Sequence, residues 1–321
     1  MSLTPQNETD YEDLLSLWSD LESGLGILLS NPASVQEFVP RVWQYDRWLQ
    51  VLLERDTDVG LYLLFQLANN SYVGYSASHA LVSGVLCHLI AAEMRLVADE
   101  RNALVHAALT MNIAMTALQD QMAGQADRPS TQQQSAIQTH PSQGAVMITG
   151  LGVTDELWID VVTHHHDTNL NPGDLRTVSA TARLSRILQL VDRYTVMISP
   201  RKTREGRSLA DSAKSIVSQT DDSNNQIGEA LLRTVGLYPP GTYVQLDNGQ
   251  VAVVMRRSDT PNLPYIAILI DETGHLIKPP RLHQTVNGSP RIQMALAAAA
   301  VREQLNHHLI LQLSSYATQN R

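Results

Sequence analysis

The sequence has a single cysteine, Cys87, in 321 residues, which excludes an intramolecular disulfide and every zinc pattern built on several thiolates. Any metal site must therefore be assembled from His, Asp and Glu. No uninterrupted apolar run approaches the ~20 residues of a membrane helix, so membrane insertion is not expected. Acidic Glu8, Asp10, Glu12 and Asp13 occupy the start, where a secretory signal needs basic residues and an apolar stretch. The expected location is the cytoplasm. Basic residues are also scarce: 23 Lys and Arg stand against 32 Asp and Glu, a formal charge of −9, and Lys202, Lys214 and Lys278 are the only lysines. That balance argues against nucleic acid as a partner, although Arg201, Lys202, Arg204 and Arg207 form a local basic segment.

What is present is mostly helical pattern. At ~150 residues per domain the length suggests about two units, and composition shifts divide the chain into an N-terminal helical region (1–70), a helical domain (71–236) and a small β unit with a C-terminal helix (237–321). Leu14, Leu17, Trp18, Leu21 and Leu25 recur at helical spacing. Ser34 and Glu37 have the spacing of a capping box, which predicts a second helix starting there with Pro40 near its first turn. Asp58 reads as the cap of a third. Ser130 and Gln133 repeat the capping-box spacing, and Asp167 to Asp174, with Asn169, Asn171, Pro172 and Gly173, reads as a loop.

After Leu237 the period changes to that of strands. Thr242–Leu246 and Gln250–Met255 flank Asp247-Asn248-Gly249, a hairpin turn signal, and Tyr265–Ile270 and His275–Lys278 repeat the scheme. Four strands in ~45 residues are marginal alone, so the unit is expected to pack on the helices. Ile292 to Leu313 reads as a closing helix. The fold class is thus mainly α, with N-terminal helices and a small C-terminal β unit followed by a helix.

Eleven histidines carry the chemical signal. His79 opens a long helix, His140 precedes Pro141 at the start of another, His164, His165, His166 and Asp167 end a third, and Asp192 lies on a fourth. Imidazoles and a carboxylate converging from several helices are what a di-metal hydrolase needs, since the ions must hold a hydroxide against a phosphodiester. The competing reading is a set of unrelated histidines on polar faces and helix ends. His88 and His106 are assigned to helix surfaces, and His307-His308 to a tail or helix face.

In order and spacing these residues resemble the HD-GYP domains, a branch of the HD phosphohydrolases whose members hydrolyse cyclic di-GMP at a bi- or trinuclear iron or manganese centre. The resemblance spans about Tyr75 to Val217 and implies an HD-type helical domain. His79 matches the family's first His. Ala107-Ala108-Leu109-Thr110-Met111-Asn112-Ile113-Ala114-Met115 falls where the family has Ala-Ala-Leu-Leu-His-Asp-Ile-Gly-Lys. His140-Pro141 matches its His-Pro, His165-His166-Asp167 mimics its His-His-Glu with His164-His165 as the competing register, and Asp192 with Arg201 and Arg204 matches its Asp and following basic residues.

The departures fall on the signature pair, where Met111 stands for His, Asn112 for Asp and Met115 for the following Lys. A carboxylate bridges and neutralises two cations; an amide oxygen is a weak ligand and a thioether is too soft for iron or manganese. The Gly-Tyr-Pro loop is absent, with Asn171-Pro172-Gly173 near its place. No catalytic residue is therefore assigned. A residual, incomplete metal set of His79, His140, His165, His166 and Asp192 would hold at most one iron or manganese ion, weakly. Arg201 and Arg204 match positions that grip substrate phosphates; the bland reading makes them a solvated turn. The expectation is a degenerate regulatory or binding module, with cyclic di-GMP or a related nucleotide as ligand and a diguanylate cyclase or other signalling protein as partner. The alternatives are a divergent metal-dependent phosphodiesterase and a ligand-free interaction scaffold.

Overall fold

The computed structural model describes residues 5–71, 73–167, 174–202, 206–219, 225–260, 262–301 and 306–319. Leu14, Trp18, Leu21, Leu25 and Leu28 recur every three or four residues and sink one stripe of α1 (Pro5–Ser30) into the core. The expected capping box at Ser34 does not form. Ser34 Oγ bonds back to Asn31 O at 2.8 Å, Glu37 turns the chain with a φ of 54°, and α2 starts at Phe38 and runs to Arg55. Pro40 then falls in the first turn, where a missing N–H leaves no helical bond unmade. The cap of α3 (Thr57–Asn70) is Asp56 rather than Asp58: its Oδ1 accepts from the amides of Asp58 and Val59, each at 3.1 Å. Asp58 instead accepts from Arg257 Nε at 2.5 Å.

Next come α4 (Tyr75–Glu93), α5 (Ala98–Thr110), α6 (Thr116–Gly124), α7 (Thr131–Gly150), α8 (Glu156–His164), α9 (Ala180–Ile198), α10 (Leu209–Gln219) and α11 (Asn225–Val235). α4 packs against α1, α3, α5, α9 and α11. By length and composition it is apolar enough to cross a bilayer even though Ser and His punctuate it, and most of it is buried inside the fold. The capping box at Ser130 and Gln133 forms as expected.

The β unit has five antiparallel strands rather than four: β1 (Tyr243–Leu246), β2 (Val251–Arg256), β3 (Tyr265–Ile270), β4 (Leu276–Gln284) and β5 (Ile292–Leu296), in the order β4-β3-β2-β1-β5. β5 lies where a helix was expected. Ile292, Met294 and Leu296 alternate with the period of a strand, and β1 pairs with them, Tyr243 opposite Leu296; the alanine run that follows imitates a helix by propensity alone. The closing helix, α12, spans only His307–Gln319.

Alternation divides the sheet between two cores. Tyr243, Val253, Met255, Tyr265, Ala267 and Leu269 join the core shared with the helices, while Val244, Leu246, Ala252, Val254, Ile266 and Ile268 form a second cluster. Polar contacts fix the unit in place: buried Arg256 pairs with Asp56 and Asp58 at the start of α3 and donates to Ser314 on α12 at 3.3 Å.

Candidate functional site

Two irregularities of helical hydrogen bonding orient the central imidazoles. His140 lies in the middle of α7, not at its start, and Pro141 inside the helix has no N–H to give the carbonyl of Ile137. His140 Nδ1 takes that carbonyl at 2.6 Å. At the end of α8 the last four carbonyls have no partner within the helix, and His165 Nδ1 donates to one of them, Val162 O, at 2.7 Å. Both rings thus turn their Nε2 atoms inward, where they stand 3.1 Å apart.

Gly144, one turn beyond His140, faces Val162 on α8 with room for a Cβ in ordinary contact. A Cβ there would meet Val162 Cγ1 at 3.4 Å and Met111 O at 3.6 Å. His166 completes the group, its ring centroid 5.2 Å from His140 and 4.2 Å from His165. The ligand atoms of the three all lie within 4.8 Å of one another, with His140 and His165 buried and His166 exposed. Burial pulls His140 down to about 4 and His165, which also faces the other two rings, down to about 3. Both are neutral at pH 7. His164 is turned aside, half-buried, with Nδ1 3.7 Å from Asp167 Oδ2.

His79 and Asp192 meet on the neighbouring faces of α4 and α9, His79 Nε2 donating to Asp192 Oδ1 at 2.8 Å. Burial raises the Asp192 carboxyl, but the hydrogen bond from His79 and the nearby imidazoles of His166 and His165 outweigh it and hold the group at about 2. The Tyr75 ring stacks on His79, centroids 5.7 Å apart and planes 22° apart. Arg201 lies over the Tyr75 ring at 4.8 Å from its centroid, and its Nη2 donates to the Tyr75 hydroxyl at 2.8 Å. Arg201 therefore belongs to the site through Tyr75, while Lys202 is held by its backbone, its amide bonded to Ala123 O at 2.9 Å. Arg204, and the Asn171-Pro172-Gly173 stretch, lie outside the described residues.

Met111 and Asn112 follow the end of α5. Met111 is 1% exposed and packed in the core, and Asn112 lines a small void with Ser76, Thr116 and Gln119. These donors do not fit an iron or manganese pair. Among the described residues the triad contains no carboxylate, the signature positions offer an amide and a thioether, and Asp192 is engaged with His79.

His106 and His88 are not on helix surfaces. His106 is 5% exposed and contacts Asp46 Oδ2 at 3.0 Å, with its ring against Trp158 at 5.0 Å. Asp46 also receives both terminal nitrogens of Arg101, at 2.6 Å each, and Arg101 Nε donates to His88 Nδ1 at 2.9 Å. Trp158 donates to Thr110 at 2.9 Å. This network ties α2 to α5 and α8, the two helices whose ends carry Met111 and His165. His307, half-buried, bonds the Tyr62 hydroxyl through Nδ1 at 2.9 Å. Sequence reading passed over Tyr75, whose signal was its place one helical turn before His79, and Asp120, which accepts from the Ser76 amide at 2.7 Å and closes the start of α4.

A cyclic di-GMP phosphodiesterase of Pseudomonas aeruginosa is 24% identical to this chain over 156 residues, covering 47% of the chain and 37% of that protein. The chain thus spans little more than a third of that relative's length. No family profile matches the chain, and no solved structure matches it.

Proposed function

We propose that the chain is an HD-GYP-like regulatory module of cyclic di-GMP-type signalling, one that binds a nucleotide of this class without hydrolysing it. The likeness to a cyclic di-GMP phosphodiesterase supports the ligand class. The observation that carries the loss of turnover is the state of the metal-facing positions: Met111 is packed in the core, Asn112 has no charge, and His79 and Asp192 are bonded to each other. Without a bridging carboxylate, two cations close together repel with nothing to offset them. At most one ion is held.

Binding needs only groups already in place. Arg201 presents a guanidinium at the edge of the site, able to take a phosphate with two parallel hydrogen bonds, and Tyr75, stacked on His79, holds it there through its hydroxyl. Residues 71–236 form the ligand-binding domain on this reading, flanked by the N-terminal helices and the β unit; the module works in the cytoplasm, and its output is contact with a signalling protein such as a diguanylate cyclase. Calorimetry with cyclic di-GMP, linear di-GMP and GMP, paired with chromatography of the same mixtures, tests it. Heat with intact nucleotide supports the reading; heat with turnover makes the chain a phosphodiesterase, and no heat for any of the three makes it a scaffold.

A further inference from the structure

The donor set that fails to fit a carboxylate-bridged pair has a chemistry of its own. A neutral imidazole has one N–H. In His140 and His165 that hydrogen is spent on Nδ1, which must donate because Ile137 O and Val162 O can only accept. Nε2 is therefore the nitrogen each ring turns toward the other, and the two stand 3.1 Å apart. His166 brings a third imidazole to the same spot from the solvent side.

We propose that His140, His165 and His166 form a mononuclear, three-imidazole centre for a divalent cation of borderline softness, with Zn²⁺ as its natural occupant, in place of an iron or manganese pair. Three observations converge on that ion. The ligand set is all nitrogen, which suits zinc and its neighbours and discriminates against manganese, whose preference is for carboxylate and water oxygen. Both buried ligands have their Nδ1 fixed by a backbone carbonyl, the outer contact that orients metal-binding histidines and raises their basicity. His166 is exposed while the other two are buried, so a bound ion would be reachable from solvent, as in sites with three protein ligands and one exchangeable ligand. Asp192 lies close enough to His165 and His166 to interact with them electrostatically, and its carboxylate would offset part of the ion's charge without being a bridge. The centre stands whether or not nucleotide binds.

The test uses the full chain, stripped with a chelator, then loaded separately with Zn²⁺, Co²⁺, Mn²⁺ and, without oxygen, Fe²⁺, and desalted before elemental analysis. The expected result is one equivalent of zinc or cobalt per chain, near-empty protein from manganese and iron, and the intense visible bands of four-coordinate cobalt. His166→Ala, at an exposed position, should lower zinc affinity about tenfold or more with circular dichroism and melting unchanged. Pro141→Ala supplies an N–H that competes for Ile137 O; it should stabilise the metal-free protein yet weaken zinc by about tenfold, opposite changes that a purely structural role for the cluster would not produce. Retention of two equivalents of manganese or iron, failure to retain zinc, or zinc affinity untouched by His166→Ala would each overturn the proposal.

Discussion

His79 Nε2 donates to Asp192 Oδ1 at 2.8 Å across the α4–α9 contact, so two side chains that resemblance assigns to a metal ion bond each other, while His79 Nδ1 stays buried with no hydrogen-bond partner among the described residues. The pair is built into the packing of the two helices, and the Tyr75 ring covers it.

Cyclic di-GMP incubated with the manganese- or iron-supplemented protein is expected to remain intact. Each ~1.4 kcal/mol of lost transition-state stabilisation is tenfold in rate, and removal of a bridging carboxylate costs several such steps. Liquid chromatography of the mixture against linear di-GMP and GMP standards checks it; turnover that vanishes in His165→Ala would contradict it.

Arg201→Ala should weaken nucleotide binding about tenfold or more, since a charge-assisted contact contributes ~1.5 to 3 kcal/mol. The loss should shrink as salt is raised. Tyr75→Phe keeps the stack on His79 but frees Arg201 from the hydroxyl it now holds, and titration calorimetry should show its affinity equal to or above that of the unaltered chain.

Asp46→Ala removes the partner of a guanidinium held by two 2.6 Å bonds. Breaking a buried pair from one side costs ~3 to 5 kcal/mol, and urea unfolding should register that drop. Removing Arg101 as well, in Asp46→Ala/Arg101→Met, should restore part of the stability, because no unpaired charge is then left inside.

Acid should destabilise the fold over a defined window. Burial pulls His140 and His88 down to about 4, with Arg101 adding to the effect at His88, and His165 down to about 3. An unfolded histidine titrates near 6.5. Folded values below unfolded ones mean that the unfolded chain binds more protons, so stability is full above pH ~6.5 and falls as pH drops toward ~4. Each tenfold loss of proton affinity on folding corresponds to ~1.4 kcal/mol, so the drop amounts to several kcal/mol. Melting temperature followed between these limits, in zinc-free buffer, should fall steadily, and His88→Leu should flatten part of the slope.

The helical frame was legible because long segments such as α1 and α9 carry one apolar stripe each, and the hairpin because Asn248-Gly249 has few other uses. The members of the triad could be named from their order along the chain. Their orientation could not, since it depends on a carbonyl freed by Pro141 and another freed by the end of α8. His106 looked like a surface residue because a lone histidine on a helix has no periodicity to betray its partner, Asp46, 60 positions away. Ser34 failed as a cap for a similar reason: the spacing was right, but the chain makes a 3₁₀ turn at Pro32–Ser34 before α2 begins. β5 was hidden because alternation over five residues is outweighed locally by the alanines beside it.

α1 and α12 touch, and Leu14, Leu21, Ile310, Leu311 and Ala317 sit in one continuous core. A ribosome makes α12 some three hundred residues after α1, so the face of α1 that α12 covers stays open to water over that interval. Long-range closure of this kind is slow and leaves apolar surface uncovered while it waits. Nascent chains arrested before His307 should accordingly be held by chaperones, and release should coincide with the emergence of α12 from the exit tunnel.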